Sequence, residues 1–313
     1  MYNIKRMIMN KNIKKHIIFV LPGRDNSPVG GYKVIYEYAN RLIEKYTVSI
    51  LYPHNKFSFD RIKTSLLKKV YHLCGFYIKK SLHFFQAGEW FNLNPQVKKI
   101  FCYKINKNIK RKYKNSLFIA TAVETAYDLN NIGITKKNGF YFIQDFEAWN
   151  GITEKQVLDS YKFSLNKIAI APWLVEKVNS VGETAELIPN GFDFDYFKMT
   201  TPIENRSPYE IAMLNHTDER KRCEDSIAAL KLVKERIPEL HVNMFGVPER
   251  PNNLPEWFTY YQKPNKKQHN SIYNTAAIFV AASKAEGMAL PPAEAMQCGA
   301  AICCTDIPGF TLY

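Results

Sequence analysis

Two carboxylates and a run of small and cyclic residues form the part of the sequence most suited to chemistry. Glu286 and Glu294 lie eight residues apart, and Gly287, Pro291 and Pro292 lie between them. Because proline suits the first turn of a helix, we predict that Glu286 lies in a loop and Glu294 in the first helical turn. Amides at such a helix N-terminus attract phosphate, and carboxylates accept hydrogen bonds from sugar hydroxyls. The segment therefore predicts a site that holds phosphate and sugar together.

A basic pair, Arg220 and Lys221, precedes a predicted helix at residues 224–236. Cations are slightly unfavourable at a helix N-terminus, and such a cost is acceptable where the side chains bind an anion. The alternative is that both are ordinary exposed residues. We favour an anion-binding role for the pair.

The first half of the chain offers candidates at the ends of predicted strands. Gly30 and Gly31 follow the first predicted strand, although any tight turn from strand to helix uses glycine. Asp145 and Glu147 follow a later strand, and parallel sheets place their ligands at that end. For Asp145, helix capping remains an alternative to a role in a binding cleft.

Several classes of protein are excluded by missing motifs. The sequence contains no zinc-type Cys/His cluster, no phosphate loop and no serine nucleophile elbow, so we set aside metal hydrolases, kinases and serine hydrolases. The six cysteines form no CxxC pair, which favours free thiols in a reducing cytoplasm. No apolar run approaches the ~18 residues of a membrane span, and the short run at 17–21 lacks a cleavage site. We therefore predict a cytoplasmic protein.

Apolar runs alternate with amphipathic segments, which is the pattern of an α/β protein. Strands are predicted at residues 16–22, 47–53, 116–120, 139–143 and 167–171, with a helix at 32–44. A polar segment with two prolines, 201–208, is the predicted linker. After it the pattern restarts, with strands at 210–214, 241–245, 276–281 and 300–304 and helices at 224–236, 268–275 and 291–298. We therefore predict two Rossmann-like domains that face a cleft, at residues 1–200 and 209–313.

Charge is distributed unevenly along the chain. Residues 1–115 contain 24 Lys and Arg against 5 Asp and Glu, a net charge of +19, within an overall +14. A basic amphipathic segment at 57–85 with interleaved aromatic residues is typical of helices that lie on an anionic membrane surface. The alternatives are ordinary packing of that helix on a sheet and compositional drift toward lysine.

The segment from Glu286 to Glu294, which continues as Ala-Met-Gln-Cys-Gly, resembles the E-x7-E signature of the retaining GT-B glycosyltransferases of family 4, also called group 1. Gly30-Gly31 looks like the family's first glycine loop, residues 188–193 like its IPNGxD turn, and Arg220-Lys221 like its diphosphate-binding basic pair. Residues 141–147 and 254–257 look most like the polysaccharide branch that includes dTDP-rhamnose transferases.

The resemblance implies a metal-independent glycosyltransferase. The basic first half and the segment at 57–85 add the expectation that this cytoplasmic protein lies at the inner face of the plasma membrane. It would move a sugar, such as rhamnose from dTDP-rhamnose, to a glycan or lipid-linked acceptor in cell-surface polysaccharide synthesis. The nucleotide sugar is a co-substrate, and no further cofactor and no nucleic acid are expected. The implied catalytic residues are Glu286, Lys221 and Asp145. The implied donor-binding residues are Gly30, Gly31, Arg220, Lys221, Glu286, Gly287, Met288, Leu290 and Glu294. Among them, Glu294 would hold ribose, Glu286 would orient the transferred sugar, and the basic pair would neutralise the diphosphate.

Two features depart from the family pattern. Residues 214–216 are Leu-Asn-His where members carry Gly-Arg, so one diphosphate-binding arginine is replaced, with His216 or Arg222 as candidate substitutes. The chain ends at Tyr313, before the C-terminal segment that the pattern leads us to expect, so we expect an incomplete second domain and low activity. An inactive remnant that only binds nucleotide and a basic nucleic-acid-binding protein remain as alternatives, although no nucleic-acid-binding module is recognisable.

Overall fold

The computed structural model describes residues 15–24, 27–54, 66–82 and 84–311, without the side chains of residues 66–69. The chain divides between Pro189 and Asn190 into two compact units. Residues 190–208, which include the predicted linker 201–208, therefore lie within the second unit.

The first unit is built on a seven-stranded parallel sheet in the order β3-β2-β1-β4-β5-β6-β7. Its strands are β1 (His16–Val20), β2 (Thr47–Pro53), β3 (Lys98–Cys102), β4 (Leu117–Ala120), β5 (Gly139–Ile143), β6 (Asn166–Ala169) and β7 (Ala185–Leu187). β1 and β5 are buried on both faces, which explains why their sequences are nearly continuous apolar runs. The strand order reverses between β1 and β4, and ligands of α/β folds bind at the carboxyl ends of strands beside such a reversal.

Helices connect these strands. They are α1 (Gly30–Leu42), α2 (Leu66–Ser81), α3 (Lys107–Lys112), α4 (Val123–Asn131), α5 (Glu154–Tyr161) and α6 (Pro172–Asn179). The predicted basic helix at 57–85 corresponds to α2, and the part of that prediction at residues 57–65 and 83 lies outside the described residues. None of the helices in the described ranges is long and apolar enough to cross a membrane.

The second unit repeats the same plan with a five-stranded parallel sheet in the order β10-β9-β8-β11-β12. Its strands are β8 (Glu210–Asn215), β9 (His241–Gly246), β10 (Phe258–Gln262), β11 (Ile278–Ala281) and β12 (Ala301–Cys304). Its helices are α7 (Cys223–Lys234), α8 (Lys266–Thr275) and α9 (Leu290–Gln297). The prediction of two Rossmann-like α/β domains is confirmed for the sheets. In the second sheet the strand order reverses between β8 and β11.

A buried arginine attaches the segment before β8 to the rest of the second unit. The Arg206 guanidinium donates hydrogen bonds to the backbone carbonyls of Thr201, Ala276 and Cys298, at 2.7 Å for Thr201 and 3.0 Å for Ala276. Nearby, the backbone amide of Thr200 donates to Oδ1 of Asn274 at 2.6 Å. These bonds fix residues 200–206 against α8 and the end of α9, so the segment behaves as part of the domain.

Replacing Arg206 with alanine should destabilise the second unit by about 2–4 kcal/mol, because several buried carbonyls then lose their donor. Thermal unfolding followed by circular dichroism measures the effect. Arg236→Ala removes an exposed arginine from the same unit and is the matched control. An equal shift of the midpoint for both variants would show that the Arg206 contacts contribute nothing specific.

Candidate functional site

Two loops of the second unit meet where its strand order reverses. β8 ends at Asn215 and leads into a 3-10 turn at Glu219–Lys221, whereas β11 ends at Ala281 and leads through residues 282–289 into α9. Because β8 and β11 are parallel neighbours, both loops leave the same edge of the sheet. This is the position at which open α/β sheets bind their ligands.

An ion pair joins the two loops. Nζ of Lys221 lies 2.7 Å from both carboxylate oxygens of Glu286. The Ser283 hydroxyl donates a hydrogen bond of 2.7 Å to Oε1 of the same carboxylate. The side chains are 22% exposed for Lys221 and 10% for Glu286, so a ligand can reach the ammonium group. The structure thus brings together two of the residues that the sequence predicted as catalytic.

Hydrogen bonds to backbone carbonyls also hold the two loops in place. The amide of Lys284 donates to the carbonyl of Arg220 at 2.7 Å. The hydroxyl of Thr305 donates to the carbonyl of Ser283 at 2.5 Å, which attaches the second loop to the segment after β12. The position of Lys221 relative to Glu286 is therefore set by backbone contacts as well as by their charges.

Arg220 is held by a carboxylate that the sequence analysis did not single out. Its Nε lies 3.1 Å from each carboxylate oxygen of Asp218, and its Nη2 lies 2.5 Å from Oδ2. Burial acts to raise the pKa of Asp218, but the hydrogen bonds from the side chain and backbone of Arg220 outweigh it and hold the pKa below its usual value. Asp218 therefore stays ionised and orients the guanidinium. An Asp two residues before a basic pair is the signal that could have indicated this arrangement.

The two candidate substitutes for the replaced arginine have other roles. Nδ1 of His216 accepts a hydrogen bond of 2.9 Å from the backbone amide of Asp218, and burial together with the charge of Lys221 lowers the pKa of this histidine. His216 is therefore neutral at pH 7. Arg222 takes a left-handed backbone conformation with φ of 48°, and its Nε lies 2.6 Å from the carboxylate of Asp225. Neither residue acts as a free cation beside Lys221 and Glu286.

The turn before α9 is tightly covered. Gly287 and Met288 are buried, and the amide of Ala289 lies 3.4 Å from the carbonyl of Gly309. A methyl group at Gly309 would lie only 2.4 Å from Cβ and the carbonyl oxygen of Glu286. Proline carries no N–H, so residues 291 and 292 offer no amide to an anion. Of the amides between Glu286 and Leu290, that of Ala289 already donates to the carbonyl of Gly309.

Glu294 lies inside α9, after the turn that contains Glu286. It is the fifth residue of α9, since the helix begins at Leu290, and it is 5% exposed. The hydroxyl of Tyr273 donates a hydrogen bond of 3.3 Å to its Oε2. Burial, followed by the negative charge of Glu294, raises the pKa of Tyr273 well above its usual value. The structure therefore gives Glu294 a buried partner on α8, which no sequence pattern indicated.

A small cavity adjoins Lys221 and Glu286. Its volume is about 30 Å³, and its lining includes the apolar side chains of Leu214, Phe279 and Phe310. Such a volume accommodates roughly one water molecule. In the described residues, no group of three or more His, Cys, Asp or Glu side chains could hold a metal ion.

The remaining predicted residues belong to the first unit. Gly30 and Gly31 begin α1, and a methyl group at Gly31 would lie 3.4 Å from Nε2 of Gln144, which follows β5. Oδ1 of Asp145 accepts a hydrogen bond of 2.8 Å from the amide of Phe146. It is Glu147 that caps a helix, since its Oε2 accepts a bond of 2.6 Å from the amide of Val123 at the start of α4. These residues therefore gather at the carboxyl edge of the first sheet.

Comparison with known proteins finds a family match for the second unit and fold matches that extend over both units. A family model described as Glycosyl transferases group 1 matches residues 201–313, the region that contains Arg220, Lys221 and Glu286. No curated protein matches the chain.

Solved structures are similar in fold over 94–95% of the chain at low sequence identity. Sucrose-phosphate synthase from Thermosynechococcus elongatus is 13% identical with a TM-score of 0.66, over 95% of this chain and 82% of that one. A mutant of TarM from S. aureus, in complex with Fondaparinux, alpha-GlcNAc-glycerol and UDP, is 10% identical with a TM-score of 0.62, over 94% of this chain and 86% of that one. Starch Synthase IV from Arabidopsis thaliana, bound to ADP and acarbose, is 12% identical with a TM-score of 0.57, over 95% and 84%. The fold is therefore GT-B-like.

Proposed function

We propose that this protein, whose residues 201–313 match the group 1 glycosyltransferases, transfers a sugar from a nucleoside-diphosphate sugar to an acceptor. The observation that carries the proposal is the ion pair of Lys221 and Glu286 at the strand-order reversal of the second sheet. The neighbouring structures bound to UDP and ADP support a nucleotide ligand for this fold.

In this proposal, the ion pair opens when a donor binds. Without ligand, Glu286 neutralises Lys221, so no uncompensated charge is left in a partly buried place. A diphosphate competes for the ammonium, and the freed Glu286 carboxylate then accepts hydrogen bonds from hydroxyls of the transferred sugar. Lys221, Arg220 and the backbone amides of Met288 and Leu290 stabilise the negative charge that grows on the leaving diphosphate. In this proposal the protein itself neutralises that charge, and no metal is needed.

Calorimetry with a panel of donors tests the proposal. Titration with UDP, ADP, GDP and dTDP, each with and without a chelator, should reveal one preferred nucleoside diphosphate whose affinity does not depend on divalent metal. Mass spectrometry of reactions with the matching sugar nucleotides then identifies the transferred sugar and whether its anomeric configuration is retained. Absence of binding by every nucleotide would contradict the proposed donor site.

A finer proposal concerns the sugar and the acceptor. We propose dTDP-rhamnose as the donor and a glycan or lipid-linked acceptor of cell-surface polysaccharide synthesis, on the likeness of residues 141–147 and 254–257 to that branch. We also propose that Gly30, Gly31 and Asp145 are the residues of the first unit that contact substrate. A preference for UDP or ADP over dTDP would overturn the choice of donor and leave the transferase assignment intact.

Glu294 allows a direct test of its proposed role in ribose binding. If the carboxylate holds ribose hydroxyls, Glu294→Gln weakens nucleotide affinity by about 1–3 kcal/mol, because a charge-assisted hydrogen bond is lost. Tyr273→Phe is the matched control, since it removes one hydrogen-bond donor to Glu294 and leaves the carboxylate in place. Calorimetry measures affinity, and thermal unfolding measures stability. A loss of stability in both variants with unchanged affinity would assign Glu294 to the core instead.

The first unit supports a proposal about location. We propose that it contacts an anionic membrane surface, because residues 1–115 carry a net charge of +19 and α2 exposes large apolar side chains. Cosedimentation with vesicles should increase with the anionic lipid fraction and decrease with salt. If sedimentation depends neither on the anionic lipid fraction nor on the salt concentration, the proposed membrane contact is wrong.

A further inference from the structure

The second unit has a polar cavity between α8 and the strands β8, β9 and β10. Its volume is about 240 Å³, and the residues that line it are Glu210, His241, Asn243, Tyr261, Gln268, Ser271, Ile272 and Thr275. Those of β8 and β9 share one face of the sheet, because Glu210 is the register partner of His241 and alternate residues of a strand point to the same side. Those of α8 follow the i, i+3, i+4, i+7 spacing of a single helix face.

A chain of hydrogen bonds orders the polar side chains that the sheet contributes. Oε2 of Glu210 accepts a bond of 2.7 Å from Nδ2 of Asn243 and lies 2.8 Å from Nδ1 of His241. The ring of His241 is held from its other side, where Nε2 lies 2.9 Å from Oγ1 of Thr259. The hydroxyl of Tyr261 donates to Oδ1 of Asn243 at 3.3 Å. These bonds fix the orientation of the Glu210 carboxylate at the cavity wall.

Several polar atoms of the cavity lining are left for a ligand. Both hydrogen bonds to the side chain of Glu210 end on Oε2, so Oε1 has no donor among the described residues. The hydroxyl of Ser271 is exposed and has no partner within the same ranges. Oε1 of Gln268 accepts the amide of Asn265 at 3.0 Å, which leaves Nε2 of this side chain as a donor. A ligand therefore meets acceptors and donors side by side.

The charges of the lining favour a neutral ligand. Its described residues include no lysine or arginine, so the lining does not neutralise an anion. The carboxylate of Glu210 is shared with Asn243 and His241, which reduces its attraction for a free cation. A molecule with several hydroxyl groups donates to a carboxylate and accepts from amides and hydroxyls at the same time. Carbohydrates have this chemistry, and the ring of Tyr261 offers apolar surface to a sugar ring.

We propose that this cavity binds a neutral sugar residue of a glycan. Oε1 of Glu210 accepts hydrogen bonds from sugar hydroxyls, while Ser271 and Gln268 complete the contacts from α8. The volume lies slightly below the ~300–1,000 Å³ of sites for drug-sized ligands and suits a single sugar ring.

The sugar site is separate from the proposed donor site. Glu210 is the first residue of β8, whereas the loop to Lys221 leaves β8 after its last residue, Asn215. Five residues of strand, about 16 Å, separate these two points. A glycan in the cavity therefore does not compete with a nucleotide. Under the proposed function the glycan is acceptor and product, so this second site would keep the chain bound while donors exchange.

Saturation-transfer NMR on the full chain tests the sugar site. The probes are the methyl glycosides of rhamnose, glucose, galactose and N-acetylglucosamine, together with methyl glucosaminide, whose amine is charged. At least one neutral glycoside should bind, and an excess of UDP, ADP or dTDP should leave its signal unchanged. Glu210→Gln should weaken that binding about tenfold or more, since a hydrogen bond to a charged group is lost.

A second variant and two controls separate ligand binding from stability. Ser271→Trp fills the cavity from an exposed position of α8 and should abolish the signal without lowering the melting temperature. The controls alter the same unit away from the lining. Glu235→Gln neutralises an exposed carboxylate after the end of α7, and Leu232→Trp adds the same ring at a position that is 65% exposed. Both controls should bind the glycoside as the unaltered protein does.

The outcomes distinguish the sugar site from the donor site. No binding of any neutral glycoside, or binding that Ser271→Trp leaves unchanged, would overturn the sugar site and leave the proposed transferase function standing. Loss of the glycoside signal on addition of nucleotide would place the sugar in the donor site and overturn the second site. Tighter binding of methyl glucosaminide than of the neutral glycosides would assign the cavity to a cationic ligand instead. Glycoside binding that persists while no nucleotide binds would support the sugar site and contradict the donor site.

Discussion

Lys221→Ala should lower turnover by about 10²–10³-fold and weaken the binding of a nucleoside diphosphate far more than that of the free nucleoside. The ammonium of Lys221 is the cation of the ion pair at the strand-order reversal, where the negative charge of a leaving diphosphate would develop. Removal of one preorganised charge-stabilising group typically costs this much in rate. Steady-state kinetics and calorimetry with the diphosphate and the nucleoside measure the two effects.

Two controls distinguish a role of Lys221 in phosphate binding from an effect on stability. Lys284→Ala removes an exposed lysine of the adjoining loop and should leave turnover unchanged. Lys221→Ala also leaves Glu286 without its counter-ion, so part of the loss could reflect instability. The double variant Lys221→Ala/Glu286→Gln removes the unpaired charge and should restore the melting temperature without restoring turnover. Equal weakening of nucleoside and nucleoside diphosphate would contradict a phosphate role for Lys221.

Gly309→Ala should displace the loop that contains Glu286, with a stability loss of about 1–3 kcal/mol and a marked loss of donor affinity. The added methyl group would approach Cβ and the carbonyl oxygen of Glu286 to 2.4 Å, and backbone atoms cannot yield as a flexible side chain can. Forced shifts in a well-packed region cost this much. Thermal unfolding and nucleotide calorimetry on the same preparation measure both losses.

Gly191→Ala is the matched control for this substitution. It lies in the same unit, and nothing lies within 4 Å of the position of its added methyl group. It should leave both stability and nucleotide affinity close to their original values. Normal donor affinity in Gly309→Ala would mean that the loop around Glu286 does not contribute to the donor site.

Strands that are mostly buried could be predicted from the sequence, whereas two edge strands with half-exposed residues, β3 and β10, could not. β1, β5 and β9 are apolar runs because neighbours cover them on both sides. β3 and β10 lie at sheet edges and keep several half-exposed residues, so their sequences lack a continuous apolar run. The sequence analysis found the first group and missed the second. The helices α3, α4, α5 and α6 were not predicted either.

In the candidate site, too, some features could be predicted from the sequence and others could not. Lys221 and Glu286 were each identified from local patterns, and the parallel topology brings them together across 65 residues of sequence. The pairing of Arg220 with Asp218, of Glu294 with Tyr273 and of Gly309 with Glu286 depends on contacts between side chains or loops. Such contacts follow from tertiary packing, and no spacing rule in a single sequence specifies them.

The order of strands in the first sheet has a consequence for synthesis of the chain on the ribosome. β1 pairs with β2 on one side and with β4 on the other, and its register joins Ile17 to Leu117. About 65 residues separate the end of β2 from β4, which takes roughly 3–13 s at 5–20 residues per second. Through that interval one edge of β1, with the sequence His-Ile-Ile-Phe-Val, remains open to pairing with other chains. The nascent protein therefore passes through a period of aggregation risk that its finished sheet no longer shows.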